Sequence, residues 1–387
     1  MNRSRPAAFY ILRQNDKCDA FWVEKAGAVW YNGIADSMTL KVQKREKILL
    51  GISYFDENSR RASAFFGRKG RMGGRMQEGK KHSVCAVVVT YNRLELLKQC
   101  VEALRGQSAG CDILIVDNAS TDGTAQWAAG QRGCRYRNTG SNLGGAGGFN
   151  RGMRWAVEAG YEFVWVMDDD TLPEPQALEK LLEADRALGG NYGWLSSVAL
   201  WTDGLICPMN LQRTSPYKDV KIGRGANQVI PVQMASFVSL FLRKCKVQKY
   251  GLPIQDFFVW VDDWEYTRRI SRKELCYLVS DSIVVHAMKN KSTVCIATED
   301  GERLDRYNYF YRNDVYLYRR EGMLGWLWVT SKDIWHSMQV LLRARSDKMK
   351  RIKTIWNGFW SGVTYWPLVE HNLCIENDNR REEGVSK

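Results

Sequence analysis

Three consecutive carboxylates, Asp168-Asp169-Asp170, stand at the end of an apolar run, Phe163-Val164-Trp165-Val166-Met167. Adjacent like charges repel, and burial beside an apolar strand makes ionising them harder still. A hard divalent cation relieves both. Alternate carboxylates can face one ion while phosphate oxygens complete its shell, an arrangement suited to magnesium or manganese. Taken alone, the triplet fits an acidic surface turn as well.

A second acidic cluster, Val261-Asp262-Asp263-Trp264-Glu265-Tyr266, follows the aromatic stretch Phe257-Phe258-Val259-Trp260. A carboxylate among aromatic rings loses hydration and gains basicity, which suits a general base. Aromatic faces also stack on sugar rings. The alternative is a helix N-terminus decorated with acids, which favour the first turn. Farther on, Ser282-Ile283-Val284-Val285-His286 closes an apolar run on a histidine. Such an imidazole is either structural or a further metal ligand.

The elements around these groups read as alternating strands and helices. Val84-Cys85-Ala86-Val87-Val88-Val89 is a buried strand ending at Thr90-Tyr91-Asn92-Arg93. A helix follows, with Leu94, Leu97, Val101 and Leu104 on one face. Ile113-Leu114-Ile115-Val116 leads into the polar turn Asp117-Asn118-Ala119-Ser120-Thr121-Asp122-Gly123. Another helix and a glycine-rich turn precede a helix opening at Gly148-Phe149-Asn150-Arg151. Buried strands alternating with helices predict a mainly parallel α/β sheet with its ligand beyond the strands' carboxyl ends. Every acidic motif falls at such an end.

Four regions divide the chain. Residues 1–57 carry short β-rich runs with turn residues between them, as a small antiparallel β module would. Residues 58–82 are rich in Gly, Arg and Lys and read as a linker or long loop. Residues 83–305 hold the α/β motifs. Residues 306–387 are aromatic and basic: Tyr307, Tyr311, Trp335, Trp356 and Trp360 stand among Arg345, Lys348, Lys350 and Lys353. Amphipathic helices of that composition suit either an anionic membrane interface or packing against the main domain.

The 387 residues carry a formal charge of +13, which calls for an anionic partner such as nucleotide phosphates or a membrane face. A nucleic-acid role is disfavoured, because the basic segments lack a recognition module. A dinucleotide oxidoreductase is disfavoured too: the glycines of 144–148 lack Gly-x-Gly-x-x-Gly spacing. No apolar run is long enough to span a bilayer, and no apolar stretch follows Met1–Pro6 as a secretory signal would. The ten cysteines form no Cys-x-x-Cys pair and read as reduced cytosolic thiols.

Val84 to Asn92, Val116-Asp117-Asn118-Ala119-Ser120-Thr121-Asp122-Gly123-Thr124, the aspartate triplet and Asp262-Asp263 together resemble family 2 glycosyltransferases. The resemblance runs from about residue 83 to 320. It implies a GT-A nucleotide-sugar-binding fold and inversion of the anomeric centre. Thr90-Tyr91-Asn92-Arg93, Asn142 to Phe149, Asp262-Asp263-x-Glu265-Tyr266, His286 and Tyr309-Phe310-Tyr311-Arg312-Asn313 are similar to the galactofuranosyltransferase branch, which also carries an N-terminal β module. Bacterial rhamnosyltransferases share much of this pattern.

The resemblance assigns roles residue by residue. Arg93 and Asn142 contact the nucleotide diphosphate and Asp117 the uracil or ribose, with Thr90 and Asn92 in the same donor-binding set. Asp168, Asp170 and His286 bind Mn2+ or Mg2+, with Asp169 supporting them. Asp263 is the catalytic base, and Trp260, Trp264 and Glu265 lie toward the acceptor. A Trp-Trp pair that polymerising members use near the acceptor is replaced by Ala235-Ser236-Phe237-Val238-Ser239, and Val261 stands where they have tryptophan. The implied partners are a UDP-sugar and a lipid-linked glycan of the cell envelope (an O-antigen, capsule or galactan). The implied place is cytoplasmic, peripheral at the inner membrane face. A dTDP-rhamnose-dependent enzyme and a non-catalytic glycan-binding subunit are the alternatives.

Overall fold

Val84–Thr90 (β1) is buried at every position because it has strand neighbours on both sides and a layer on both faces. The computed structural model describes residues 84–221, 229–288, 295–299 and 303–371. The β module expected over 1–57 and the linker over 58–82 lie outside them.

After β1 come helix α1 (Leu94–Arg105), strand β2 (Asp112–Asp117), helix α2 (Thr124–Ala129) and strand β3 (Cys134–Asn138). Helix α3 (Gly144–Glu158) leads to β4 (Phe163–Asp168), then β5 (Thr171–Pro173), α4 (Ala177–Leu188) and β6 (Leu195–Leu200). A small hairpin, β7 (Arg213–Ser215) with β8 (Lys218–Asp219), precedes β9 (Val229–Val232) and β10 (Leu240–Arg243). Helices α5 (Lys244–Tyr250) and α6 (Asp262–Ser271) lead to β11 (Cys276–His286). Three helices close the described part: α7 (Arg306–Arg319), α8 (Gly322–Arg343) and α9 (Lys348–Thr364).

The main sheet runs β3-β2-β1-β4-β10-β6-β11-β5, with β9 also on β11. It is the mixed, mainly parallel α/β architecture that GT-A implies. β1, β2, β3 and β4 are mutually parallel. β10 is antiparallel to both β4 and β6, so those two run the same way, and β11 is parallel to β6. Alternation along β1 sorts its side chains. Val84, Ala86 and Val88 join the core beneath α1 and α4, while Cys85, Val87 and Val89 join the one beneath α3. The outer strand β3 exposes Arg135 and Arg137, charges that discourage edge pairing.

The glycines at 144–148, expected as a turn, form the first turns of α3 instead. Their purpose is close approach. A Cβ on Gly148 would lie 2.5 Å from Val89 Cγ1, and one on Gly152 would lie 2.4 Å from Val87 Cγ1. The helix rests on the sheet because those side chains are missing.

Of the two uses open to the C-terminal aromatics, packing accounts for the tyrosines of α7. Tyr307, Tyr311, Tyr316 and Tyr318 of α7 are fully buried, so these rings form a core and not an interfacial edge. Tyr316, Tyr318 and Phe359 cluster with Ile254, Phe257 and Val261. This core thus reaches directly under the second acidic motif.

Candidate active site

Asp168 ends β4, and only Asp169 and Asp170 separate it from β5. In a flat sheet β5 would stand four strand spacings from β4, about 19 Å. Three Cα steps reach at most about 11 Å. The sheet's far edge must therefore curl back over the carboxyl end of β4. An irregularity in β11 between Val279 and Ile283 allows such a bend. β5 then pairs with the end of β11, setting Thr171 opposite His286, and Ala287 N donates to Asp170 O at 2.8 Å. Folding thus brings Asp170 to His286, with Nε2 3.1 Å from Oδ1.

Each acid of the triplet has a different environment. Thr90 Oγ1 donates to Asp169 Oδ2 at 2.7 Å. Arg93 Nη1 donates to Asp170 Oδ2 at 2.8 Å and reaches Asp169 Oδ1 at 3.4 Å. Burial, reinforced by the charge of Asp170, pushes the Asp168 carboxyl up to about 7. Burial also raises Asp169, to about 6, against the pull of Arg93. Burial opposes ionisation of Asp170 as well, but His286 and Arg93 outweigh it and hold this carboxyl below its usual range. The site concentrates negative charge that its own cations only partly offset.

His286 is buried, and burial disfavours its charge, yet the ion pair with Asp170 lifts the imidazole to about 10. Its Nδ1 lies 2.8 Å from Asn210 Oδ1, which also accepts from Cys207 Sγ at 2.9 Å. The ring stacks near-parallel on Trp201, with centroids 6.4 Å apart. Asn210 Oδ1 can only accept, so Nδ1 carries a proton and Nε2 is the nitrogen turned to Asp170. Among the described residues no three His, Cys, Asp or Glu side chains form a ready-made metal site. Asp170 and His286 are engaged with each other.

Asp262 and Asp263 open α6, after three non-glycine residues in left-handed conformations: Phe258 (φ 63°), Trp260 (φ 64°) and Val261 (φ 69°). Such φ values are unfavourable for these side chains and persist only where neighbours enforce them. Asn313 on α7 is the enforcer. Its Nδ2 donates to the carbonyls of Phe257 and Trp260, both at 3.0 Å, and reaches that of Val259 at 3.3 Å. Burial pushes Asp263 up to about 7; the Trp264 N–H opposes the shift and the charge of Asp168 adds to it. Asp262 is buried deeper, and burial with the charge of Asp263 raises its carboxyl as well.

The remaining expected residues divide into two groups. Asn92 Oδ1 accepts from Thr121 N at 2.7 Å, and Asn142 Oδ1 accepts from Gly144 N at 2.9 Å, so both hold the loops at the sheet's carboxyl edge. Asp117 is buried, accepting from Tyr136 Oη at 2.7 Å and Ser120 N at 2.8 Å. Trp264 lies beneath Arg213, whose guanidinium carbon is 3.7 Å from the ring centroid. Trp260 packs edge-on against Tyr307 and Phe310. Glu265 is buried with Arg269 at 2.9 Å and Arg320 at 3.9 Å; it braces α6.

Residues 85–191, from β1 through the triplet and α4, match the family model for glycosyl transferase family 2. The chain carries a family 2 glycosyltransferase domain. The chain is also 38% identical over 109 residues to the undecaprenyl-phosphate mannosyltransferase of Micrococcus luteus, an overlap of 27% of this chain and 44% of that protein. It is 29% identical over 205 residues to the galactofuranosyltransferase GlfT1 of Mycolicibacterium smegmatis, covering 50% of this chain and 66% of the relative. With the galactofuranosyltransferase of the same name from Mycobacterium tuberculosis it shares 25% identity over 304 residues, covering 69% and 96%. For the first two, the chain spans less than two-thirds of the relative's length.

Around this cluster, sequence reasoning missed Asn210, Cys207 and Arg213. Asn210 is 76 residues from the histidine it orients, and no local pattern marks it. Asn313 fell inside a quoted motif, but without a role. Its signal was an asparagine amid aromatics on a helix, and its acceptors lie more than 50 positions away.

Proposed function

We propose that this chain is a metal-dependent, inverting glycosyltransferase. It moves galactofuranose from UDP-galactofuranose to a growing, lipid-linked cell-surface polysaccharide at the inner membrane face. The observation that carries the reading is that Asp263, a carboxyl lifted to about 7, lies within the field of Asp168. A base poised near neutrality thus stands in the field of an acidic site that could hold a diphosphate through a divalent cation. The likeness to two galactofuranosyltransferases supports the choice of donor.

The donor set fits Mn2+ or Mg2+. Asp168, Asp170 and His286 offer carboxylate oxygens and an imidazole nitrogen, and the raised Asp168 and Asp169 lack full compensation by Arg93 and His286. Bound there, the ion would neutralise charge developing on the departing diphosphate. Asp170 and His286 would hold the ion in place of their mutual ion pair, and His286 would have to give up a proton to do so. Asn210 keeps the Nδ1 proton in place, so Nε2 is the nitrogen that turns to the ion.

The chain's own groups do the rest. Arg93, half of whose side chain meets solvent, swings from the triplet toward the diphosphate. Asp169, held by Thr90, fixes the triplet's orientation. Asp117 meets the uracil if Tyr136 yields its hydrogen bond, while Asn92 and Asn142 hold the loops around the nucleotide. Asp263 takes a proton from the acceptor hydroxyl as that oxygen attacks the anomeric carbon. The bond to the diphosphate breaks on the opposite face, so one displacement inverts the centre. Trp264 and Trp260 offer ring faces to the acceptor sugar.

The test is release of UDP from UDP-galactofuranose by the full chain with Mn2+, with and without a lipid-linked glycan. Turnover of dTDP-rhamnose alone would move the donor to rhamnose. Glycan binding with turnover of neither donor would make the chain a binding subunit.

A further inference from the structure

We propose that the outer face of α8 docks the protein on an anionic phospholipid bilayer. Met323, Leu327, Ile334, Met338 and Leu341 follow one another at helical steps of four, seven, four and three residues and so share one face. They are between 47% and 79% exposed. Leu342, at the margin of this face, is 77% exposed, and the polar residue within it is Ser331. The stripe runs about 27 Å along the helix.

Soluble surfaces rarely leave so continuous an apolar strip in water, and where they do it marks an interaction site. The opposite face of α8 is already used, with Gly325, Val329, Asp333 and Val340 buried. No described helix is long and apolar enough to cross a membrane. The strip therefore lies along a surface, in the manner of an interfacial amphipathic helix whose apolar side sinks into the headgroup boundary.

Charge selects the occupant. Arg345, Lys348, Lys350 and Lys353 are all exposed just beyond the stripe. Between Gly322 and Leu368 the acids are Asp333, which is buried, and Asp347. A second copy would bring another chain of charge +13 against this region, whereas an anionic bilayer neutralises it. The apolar contact is made by aliphatic side chains; the tyrosines of α7 lie in the core. The docking reading does not depend on which sugar is transferred.

Co-sedimentation of the full chain tests it, with vesicles of phosphatidylglycerol in phosphatidylcholine against phosphatidylcholine alone, at low and high salt. The wild-type chain is expected to pellet with the anionic vesicles and to be released by salt. Leu327→Glu with Met338→Glu lowers partitioning at least tenfold, and each of Lys348→Gln, Lys350→Gln and Lys353→Gln lowers it about fivefold. Should the double variant misfold, Leu327→Ser alone gives the same direction. Donor hydrolysis in solution stays at the wild-type rate in these variants, which separates docking from sugar transfer. A wild-type chain left in the supernatant at low salt, or stripe variants that bind as the parent does, overturns the proposal. A concentration-dependent dimer that the stripe variants abolish, without lipid binding, assigns the face to a second copy instead.

Discussion

The side-chain amide of Asn313 donates to the carbonyl oxygen of Trp260 at 3.0 Å, and Trp260 holds a φ of 64°. One buried residue on α7 thus fixes the strained turn that aims Asp262 and Asp263. The main sheet's second acidic motif and the C-terminal helices are joined at this turn, where the proposed base stands.

Asn313→Ala removes the amide from three carbonyls. Leaving buried acceptors unpaired costs about 1–3 kcal/mol, read as a lower midpoint in thermal unfolding. Turnover falls more than UDP affinity does, because the turn positions the base. Equal losses in both, measured by calorimetry and UDP release, would show a general structural role only.

Asp263→Asn keeps the shape of the side chain and removes its basicity. The expected loss in turnover is about 10²–10⁴-fold, with UDP and Mn2+ binding retained. Parental turnover in this variant would sink the assignment of the base.

The Asp263 carboxyl, raised to about 7, must be unprotonated to accept a proton. The group loses its charge as pH falls through that value, so turnover climbs between about pH 6 and 8 and drops in acid. A bound divalent cation near Asp168 favours the charged form and moves the acid limb downward. A saturating-substrate profile flat to pH 5 contradicts the role.

Asn210→Ala frees Nδ1 of His286 and lets the imidazole turn. Loss of such a supporting partner lowers metal affinity about 10–100-fold. A Mn2+ titration followed by paramagnetic resonance checks this without any turnover. Chelation by excess EDTA abolishes sugar transfer in the parent, and added Mn2+ restores it.

Gly148→Ala sets a methyl group 2.5 Å from Val89 Cγ1. Either α3 lifts from the sheet or β1 shifts, at about 1–3 kcal/mol. A lower unfolding midpoint measures the strain, and weaker UDP binding follows if the loop of Asn142 moves with the helix.

Motifs with strong local signals were legible in the sequence. β1 and β4 are unbroken apolar runs, and the acidic groups follow them directly. β11 was read only from Ser282, although it begins at Cys276, because Ser280, Asp281 and Ser282 interrupt its apolar pattern around the bend. β10, four residues long, is too short to stand out. The glycines of α3 read as a turn by propensity, and only the nearness of Val87 and Val89 explains a helix there. Asn210, Arg213 and Asn313 act on partners far along the chain, and single-sequence patterns do not carry that information.

The two-residue span between β4 and β5 has an evolutionary consequence. Asp169 and Asp170 are the entire tether that draws the curled edge of the sheet onto its centre. Inserting a residue would slacken the tether and slip β5 against β11, turning Leu172 toward the opposite face. The number of residues here is constrained separately from the chemistry of their side chains. Invariance of spacing at this point would therefore persist even in descendants that had abandoned the chemistry.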